Sequence, residues 1–152
     1  AVLFRTTLYD LLHYSYLKER FTDDRVQVYN YGLGIKDEAI SIGVIGSATS
    51  VFNTIGNNEL VEIKDIMPLL SKFSKIDLVK MNIEGAEYDL LDYIIKNGLQ
   101  TKLDNIQIQF HIVVFIADYE NRRQMIRNEL SKTHHLTYDF EVGLRENWEI
   151  NK

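Results

Sequence analysis

A strand, a tight polar turn and a helix follow one another within residues 76–91, and this succession constrains the fold more than any other part of the chain. A mostly apolar run ends at Asn82, the turn carries Glu84 and Glu87 on either side of a glycine, and a helical pattern follows at once. In open α/β sheets, ligands bind at the carboxyl ends of strands, where such turns lie. The stretch therefore predicts an α/β fold and places Asn82, Glu84 and Glu87 where such folds carry their chemistry.

The helix after the turn is predicted from the spacing of its apolar residues. They recur at i, i+4, i+5, i+8 and i+9 on one face, at Ala86, Leu90, Leu91, Ile94 and Ile95. Gly98 supplies a stop signal at the carboxyl end. At the amino end, Glu84 and Glu87 have two interpretations. They are either helix N-terminal carboxylates that interact favourably with the helix dipole, or carboxylates of a functional site.

The composition is typical of one soluble globular domain that spans residues 1–152. Hydrophobic residues make up 45% and charged residues 26% of the chain, which is ordinary for such proteins. The net charge of −5 and the absence of a dominant basic patch argue against nucleic-acid binding. The chain contains no cysteine, so disulfide bonds and thiolate catalysis are excluded.

Membrane attachment has no support in the sequence. The longest apolar run, Ile112 to Ala117, is far too short to span a bilayer. No basic region precedes an apolar segment among the first residues, so no signal peptide is recognised. We therefore expect a cytoplasmic protein with no membrane partner. Nothing in the sequence indicates an oligomeric state.

The rest of the chain alternates between strand and helix patterns. A helix is predicted from Thr6 or Thr7 to Arg20, and a strand at Val26–Tyr31 is followed by a break at residues 32–34. Further strands are predicted at residues 39–44, 50–53, 60–63, 76–82, 106–110, 136–142 and 147–151, and further helices at residues 65–73 and 121–131. Strand–helix alternation that ends in a β-hairpin predicts a mostly parallel sheet with an antiparallel edge.

Four pieces of the sequence, taken in order, form a recognisable set. They are Val28-Tyr-Asn-Tyr-Gly-Leu-Gly34, Ser47-Ala-Thr-Ser-Val-Phe52, Ile76-Asp-Leu-Val-Lys-Met-Asn-Ile-Glu-Gly-Ala-Glu-Tyr88 and Ile106-Gln-Ile-Gln-Phe-His111. Thr133-His134 and Glu146-Asn147-Trp148 give weaker support. From Leu17 onward the chain thereby resembles the FkbM-type methyltransferases, class I enzymes that depend on S-adenosylmethionine. The third piece is fairly specific, and the ordered set is more so.

The resemblance implies a Rossmann-like class I methyltransferase sheet, mostly parallel, with an antiparallel C-terminal hairpin. In that fold Val26–Tyr31 would be the third strand, Ile76–Asn82 the fourth and Ile106–Phe110 the fifth. The family's opening Gly-rich turn has no counterpart before Val26, and the first 16 residues hold a single acid, Asp10, within the predicted helix. We therefore expect an N-terminally incomplete domain, the C-terminal two-thirds of the fold. By itself it should bind S-adenosylmethionine weakly or not at all.

His111, which follows the fifth strand, is the first candidate for a catalytic base. Methyl transfer from a sulfonium to a hydroxyl needs positioned reactants and a base near the hydroxyl proton. A neutral imidazole is available for that role near pH 7. The alternative is a histidine that only hydrogen-bonds the neighbouring turn, and the sequence leaves both interpretations open.

Asn82 and Glu84 complete the set of candidate catalytic residues. Asn82 occupies a position where many class I methyltransferases carry Asp. Its amide cannot act as a base, but it can orient the methyl donor or the acceptor through hydrogen bonds. Glu84 could bind a substrate hydroxyl or assist His111.

The end of the third strand supplies most of the predicted cofactor contacts. By the family pattern Asn30, Tyr31 and Gly32 lie close to the adenine of S-adenosylmethionine, and Asn82 also faces the cofactor. Tyr31 either stacks on the base or packs as a core aromatic residue. A metal site has weak support, because the chain has no cysteine and no H-x-x-x-H spacing.

The resemblance thus implies an S-adenosylmethionine-dependent O-methyltransferase that acts on a hydroxyl of a small polar acceptor. A sugar or glycan precursor is the family-level expectation for that acceptor. The alternative is a non-catalytic Rossmann-like domain that serves as a binding or assembly module, and the missing Gly-rich turn keeps this alternative open.

Overall fold

The computed structural model describes residues 6–9, 14–45, 48–50, 57–112 and 118–152. The strands are β1 (Thr6–Tyr9), β2 (Val26–Tyr29), β3 (Gly32–Gly34), β4 (Glu38–Ile45), β5 (Ala48–Ser50), β6 (Asn57–Asp65), β7 (Val79–Met81), β8 (Asn105–Gln109), β9 (His134–Phe140) and β10 (Arg145–Ile150). The helices are α1 (Tyr14–Arg20), α2 (Ile66–Ser71), α3 (Glu87–Lys96) and α4 (Tyr119–Leu130), with a 3-10 turn at Leu99–Lys102.

The described strands form three sheets. Strands β1 and β2 pair in parallel, a second sheet has the order β3-β6-β4-β5, and a third has the order β7-β8-β10-β9. In the third sheet β7 and β8 are parallel, and β10 is antiparallel to both β8 and β9. Strand β9 therefore runs in the direction of β7 and β8, and only β10 is reversed.

This architecture is a mixed α/β structure. The predicted α/β class is confirmed, and so is the C-terminal antiparallel hairpin of β9 and β10. The described strands divide among separate sheets with both parallel and antiparallel pairs, whereas the sequence predicted one mostly parallel sheet.

Helices α3 and α4 supply the apolar side chains that pack against the third sheet. Strand β8 alternates strictly, with Ile106 and Ile108 buried and Gln107 exposed. The core joins these residues to buried side chains of both helices: Tyr88, Leu90, Leu91, Ile94, Ile126 and Leu130. Of these, Leu90, Leu91 and Ile94 belong to the predicted apolar face of α3. Each fully buried aliphatic side chain contributes about 1.5–3 kcal/mol. The packing fixes the start of α3 beside the end of β8.

The predicted N-terminal helix is wrong in its first part. Thr6–Tyr9 is a strand, paired in parallel with Val26–Tyr29, and the helix occupies only Tyr14–Arg20. The intervening residues 10–13, which include Asp10, lie outside the described part of the chain. Threonine and tyrosine favour strands when a partner strand is available, and this tertiary pairing overrode the untidy helical pattern.

The predicted break at residues 32–34 is also wrong. The chain bends at Asn30 and Tyr31, and Gly32–Gly34 forms a short strand that pairs in parallel with β6. A Cβ atom at Gly34 would lie only 2.5 Å from Cγ2 of Ile63. Glycine therefore suits this position, because the Ile63 side chain of the neighbouring strand occupies the space that a Cβ atom would need. Gly34 continues the sheet and does not end it.

Other boundaries agree with the patterns to within a few residues. Asp65 caps α2, since its carboxylate accepts a hydrogen bond from the backbone N–H of Met67 at 2.8 Å. The strand predicted at residues 76–82 is shorter, at Val79–Met81, and Ile76 forms an isolated bridge to Leu103. Residues 51–53 of another predicted strand lie outside the described residues. Within the described ranges, no helix has the length and apolar character needed to cross a membrane.

Candidate functional site

The carboxyl ends of β7 and β8 lie at the same edge of the third sheet. The two strands are parallel, with Met81 opposite Ile108. Asn82 follows directly after β7, and His111 follows two residues after β8. The structure therefore brings two of the predicted site residues to one edge, where α/β folds bind their ligands.

The turn between β7 and α3 is held in an uncommon backbone conformation. The N–H of Ala86 donates to the carbonyl of Ile83 at 3.2 Å, which closes a four-residue turn. Both central residues have positive φ, 53° at Glu84 and 108° at Gly85. Glycine adopts this region freely, whereas a residue with a side chain is strained there by about 1–3 kcal/mol. Such strain is concentrated at functional sites. Here the turn conformation sets the direction in which the Glu84 side chain leaves the backbone.

His111 lies between two carboxylates of this turn and helix. Its backbone N–H donates to Oε1 of Glu87 at 2.7 Å, and its ring Nδ1 is 3.1 Å from the same oxygen. Its ring Nε2 is 3.4 Å from Oε1 of Glu84. The Glu87 side chain is fully buried, whereas 48% of the Glu84 side chain is exposed. The imidazole thus has one buried and one solvent-facing carboxylate partner.

Glu87 is the residue that sequence reasoning did not place in the candidate catalytic set. It was one of two carboxylates with a possible dipole role, yet its Oε2 accepts the backbone N–H of Gly85 at 2.9 Å and its Oε1 binds His111. The available signal was the pair of glutamates three residues apart around a glycine at a strand–helix turn. His111 hydrogen-bonds this turn through Glu87, and both interpretations of His111 share this geometry.

Tyr88 supports His111 from the core. It is fully buried, its hydroxyl donates to the carbonyl of His111 at 3.2 Å, and its ring packs 5.2 Å from that of Phe110. Burial, and after it the adjacent charge of Glu87, raises the pKa of Tyr88 to about 12. Tyr88 therefore stays neutral and keeps its hydrogen bond throughout the physiological pH range.

This raised pKa makes stability depend on alkaline pH. Tyrosine in an unfolded chain has a pKa of about 10, so the stabilisation from neutral Tyr88 is complete below that pH and is lost as the pH rises through about 12. The full effect is on the order of 2–3 kcal/mol. Tyr88→Phe should therefore show a shallower fall in the free energy of unfolding over this range, measured by urea denaturation. Tyr138→Phe is the control, since Tyr138 is exposed; equal slopes in wild type and Tyr88→Phe would contradict the assignment.

Asn82 faces a polar groove on the sheet. The groove has a volume of about 610 Å³, and its lining includes Lys80, Asn82, Gln107, Gln109 and Asn147. Ligand sites commonly occupy about 300–1,000 Å³ and use a few well-placed polar groups. Amide side chains both donate and accept hydrogen bonds, so the groove suits a ligand with amino, carboxylate or hydroxyl groups.

The other predicted cofactor residues lie in the connection between β2 and β3. Asn30 is exposed, Tyr31 is half-buried, and Gly32 is the first residue of β3. The Tyr31 ring packs against that of Tyr29, with centroids 5.3 Å apart. Burial, and after it Tyr29, raises the pKa of Tyr31. These residues do not line the groove that contains Asn82, so the structure does not join the two halves of the predicted cofactor site.

A second buried carboxylate lies behind the site, on β10. Oε1 of Glu146 accepts from Nε of Arg123 at 2.7 Å, and its Oε2 accepts from Nε1 of Trp148 at 2.8 Å. The Arg123 guanidinium also lies 5.6 Å from the centre of the Phe110 ring. In the sequence, Arg123 belongs to a mixed-charge run with Asp118, Glu120 and Arg122, which by itself predicts a solvated helix start. In the structure its side chain instead turns inward and pairs with the buried carboxylate of Glu146. Trp148 is itself buried in the core.

The two adjacent histidines are structural. His134 is buried, its Nε2 is 2.8 Å from the carbonyl of Leu103, and its Nδ1 is 2.8 Å from the hydroxyl of Thr133. His135 is exposed and lies 3.1 Å from Oδ1 of Asn151. Among the residues that the structure describes, no group of three or more His, Asp or Glu side chains is arranged to hold a metal ion.

Comparison with known proteins points to one family. We found no match among curated proteins and none among solved structures. The family model of the methyltransferase FkbM domain matches residues 21–140, which include the turn at Glu84, helix α3 and His111. Because this match covers most of the sequence, the chain belongs to the FkbM methyltransferase domain family.

Proposed function

We propose that the protein is an S-adenosylmethionine-dependent O-methyltransferase in which His111 is the general base. The acceptor would be a hydroxyl group of a small polar molecule, with a sugar or glycan precursor as the favoured class. Membership of the FkbM methyltransferase domain family supports methyl transfer. The observation that carries the choice of a hydroxyl acceptor is the imidazole of His111 at the carboxyl edge of the sheet, held by Glu87 and adjacent to Glu84.

His111 is placed for base catalysis because its two ring nitrogens differ in their surroundings. Nδ1 faces the buried Glu87 carboxylate, and Nε2 faces the partly exposed Glu84. An acceptor hydroxyl that enters beside Glu84 would give its proton to Nε2 while its oxygen takes the methyl group. Positioned proton acceptors of this kind contribute about 10²–10⁴-fold to rate. Glu84 would hold a neighbouring hydroxyl of the same acceptor through its exposed oxygen.

The cofactor would bind at the same edge. S-Adenosylmethionine supplies a methyl group on a positively charged sulfur, so the protein has to align donor and acceptor and to accept the proton. Asn82 would orient the cofactor or the acceptor by its amide, and Asn30, Tyr31 and Gly32 would approach the adenine. The volume and amide-rich lining of the groove beside Asn82 support a polar ligand of this size.

Chain topology supports a Rossmann-like arrangement for this site. Strands β1 and β2 are parallel and linked through α1, and β7 and β8 are parallel and linked through α3. The unit β7–α3–β8, which carries the candidate site, is of the kind from which folds that bind nucleotide-containing cofactors at their carboxyl edge are built.

Cofactor binding by the protein expressed from its complete gene tests the proposed function. We expect isothermal titration with S-adenosylmethionine to give a saturable heat. We also expect radiolabelled methyl transfer to polyhydroxylated acceptors that is lost when the acceptor hydroxyls are blocked. Asn82→Ala should weaken both binding and turnover, whereas Asn82→Asp should retain much of each, because Asp keeps the size and the hydrogen-bond acceptor of the side chain. A complete protein that binds no S-adenosylmethionine would instead favour a non-catalytic binding or assembly module.

A further inference from the structure

We propose that Glu87 is the positioning residue of the site: it keeps the proton of neutral His111 on Nδ1 and so leaves the lone pair of Nε2 for the acceptor. The inference rests on the proposed role of His111 as base. Oε1 of Glu87 is 3.1 Å from Nδ1 and also accepts the His111 backbone N–H at 2.7 Å. One oxygen thus binds both the ring and the backbone of the same residue, which fixes the ring relative to the end of β8.

The donors around Glu87 require it to act as an acceptor. Its Oε2 accepts from Gly85 at 2.9 Å and its Oε1 accepts from the backbone of His111, so both oxygens receive backbone N–H groups. An ionised carboxylate is acceptor-only and is stabilised by such donors. Nδ1 can therefore satisfy this contact only as N–H, because an unprotonated Nδ1 would set two lone pairs against each other.

Glu84 exerts the opposite preference on the same ring, and its effect is weaker. A carboxylate beside Nε2 favours a proton on that nitrogen. Glu84 is 3.4 Å away with 48% of its side chain exposed, whereas Glu87 is 3.1 Å away and fully buried. Charge interactions grow as distance and effective dielectric constant fall, so Glu87 controls the tautomer. The backbone contacts further fix Glu87, while Glu84 can turn to an arriving acceptor.

His134 provides an internal reference for this assignment. Its Nε2 faces the carbonyl of Leu103, which can only accept a hydrogen bond, and its Nδ1 faces the hydroxyl of Thr133. His134 must therefore carry its proton on Nε2. His111 and His134 are therefore expected to be opposite tautomers.

Long-range ¹H–¹⁵N correlation spectra of histidine-labelled protein, recorded under alkaline conditions where imidazoles are neutral, test the proposal without substrate. We expect the pattern of Nδ1–H for His111 and of Nε2–H for His134. In Glu87→Gln, His111 should move toward the Nε2–H form while His134 is unchanged. Wild-type His111 in the Nε2–H form, or a folded Glu87→Gln variant with an unchanged His111 pattern, would overturn the proposal.

Two further variants test whether Glu87 positions the His111 ring or only stabilises the fold. Glu87→Asp keeps the carboxylate and should retain the Nδ1–H tautomer of His111. This variant still tests the proposal if Glu87→Gln does not fold. Glu84→Gln should leave the tautomer unchanged. In the complete enzyme, Glu87→Gln should lower kcat by about 10²–10⁴-fold with little change in S-adenosylmethionine affinity, because the base is lost. The expected tautomers in an inactive protein would refute the proposed function and leave the positioning by Glu87 intact.

Discussion

Replacing His111 with alanine should lower kcat of the proposed methyl transfer by about 10²–10⁴-fold, the usual contribution of a positioned base. The protein's affinity for S-adenosylmethionine should change little, because the proposed cofactor contacts come from other strand ends. The backbone N–H of residue 111 can still donate to Glu87 in the variant, so the turn between β7 and α3 keeps one of its two contacts. Steady-state kinetics across pH is the measurement. The variant should lose the rising limb that reports proton removal from the wild-type imidazole.

His135 offers the matched control for this experiment. It is exposed at the start of β9, and because β9 runs in the direction of β8, that start lies at the opposite edge of the sheet from His111. His135→Ala should leave kcat and the pH profile unchanged. If His111→Ala keeps its rising limb, the base lies elsewhere and Glu84→Gln becomes the next variant to measure; methyl transfer itself would remain as the proposed reaction.

Replacing Arg123 with alanine should lower the free energy of unfolding by about 3–5 kcal/mol, because it leaves a buried charge without its main partner. Glu146 is fully buried and depends on Arg123 at 2.5–2.7 Å, with Trp148 at 2.8 Å and Arg127 only at 3.8 Å. Whole domains are stable by about 5–15 kcal/mol, so this loss is a large share of the total. Urea denaturation followed by tryptophan fluorescence would measure it, since Trp148 is the single tryptophan.

Arg122 is a control that distinguishes the effect of burying a charge from the effect of forming an ion pair. Arg122 pairs with Asp89 at 2.9 Å and with Asp92 at 2.5 Å, but more than half of each aspartate side chain is exposed. Solvent-exposed pairs contribute about 0–1 kcal/mol, so Arg122→Ala should have a small effect. A joint Arg123→Met and Glu146→Leu variant should recover much of the lost stability, because it removes both buried charges. Equal losses in Arg122→Ala and Arg123→Ala would show that Glu146 does not need its partner.

Local sequence patterns predicted those helices and strands in which apolar residues recur at the regular spacing of that element. Helix α3 has an apolar face at i, i+4 and i+8 and a glycine stop, and the structure places it at Glu87–Lys96 with Gly98 at φ 69°. Strand β8 and the β9–β10 hairpin were likewise predicted to within a few residues. Strand β1 was missed, because Thr6–Tyr9 becomes a strand only through its pairing with β2. Sequence spacing does not encode such a distant partner.

The sequence predicted which sheet edge carries the candidate residues, but not the hydrogen bonds that join them. The strand–turn–helix pattern indicated the sheet edge that holds Asn82, Glu84 and His111. It did not indicate that Glu87 turns inward to bind residue 111, because this contact joins residues 24 positions apart. The same applies to the pair of Arg123 and Glu146, which are 23 positions apart. The run of mixed charges that contains Arg123 predicts a solvent-exposed helix start, and the sequence does not reveal that one of its cations faces a buried carboxylate.

The order of strands in the third sheet has a consequence for synthesis on the ribosome. Strand β10 lies between β8 and β9, yet it is the last of the three to be made, and Arg145 is 36 residues beyond its partner Gln109. At translation rates of about 5–20 residues per second, β8 waits roughly 2–7 s for that neighbour. An unpaired strand edge is a template for association with another chain. The nascent protein is therefore most open to such association at this edge during this interval, before β10 inserts between its neighbours.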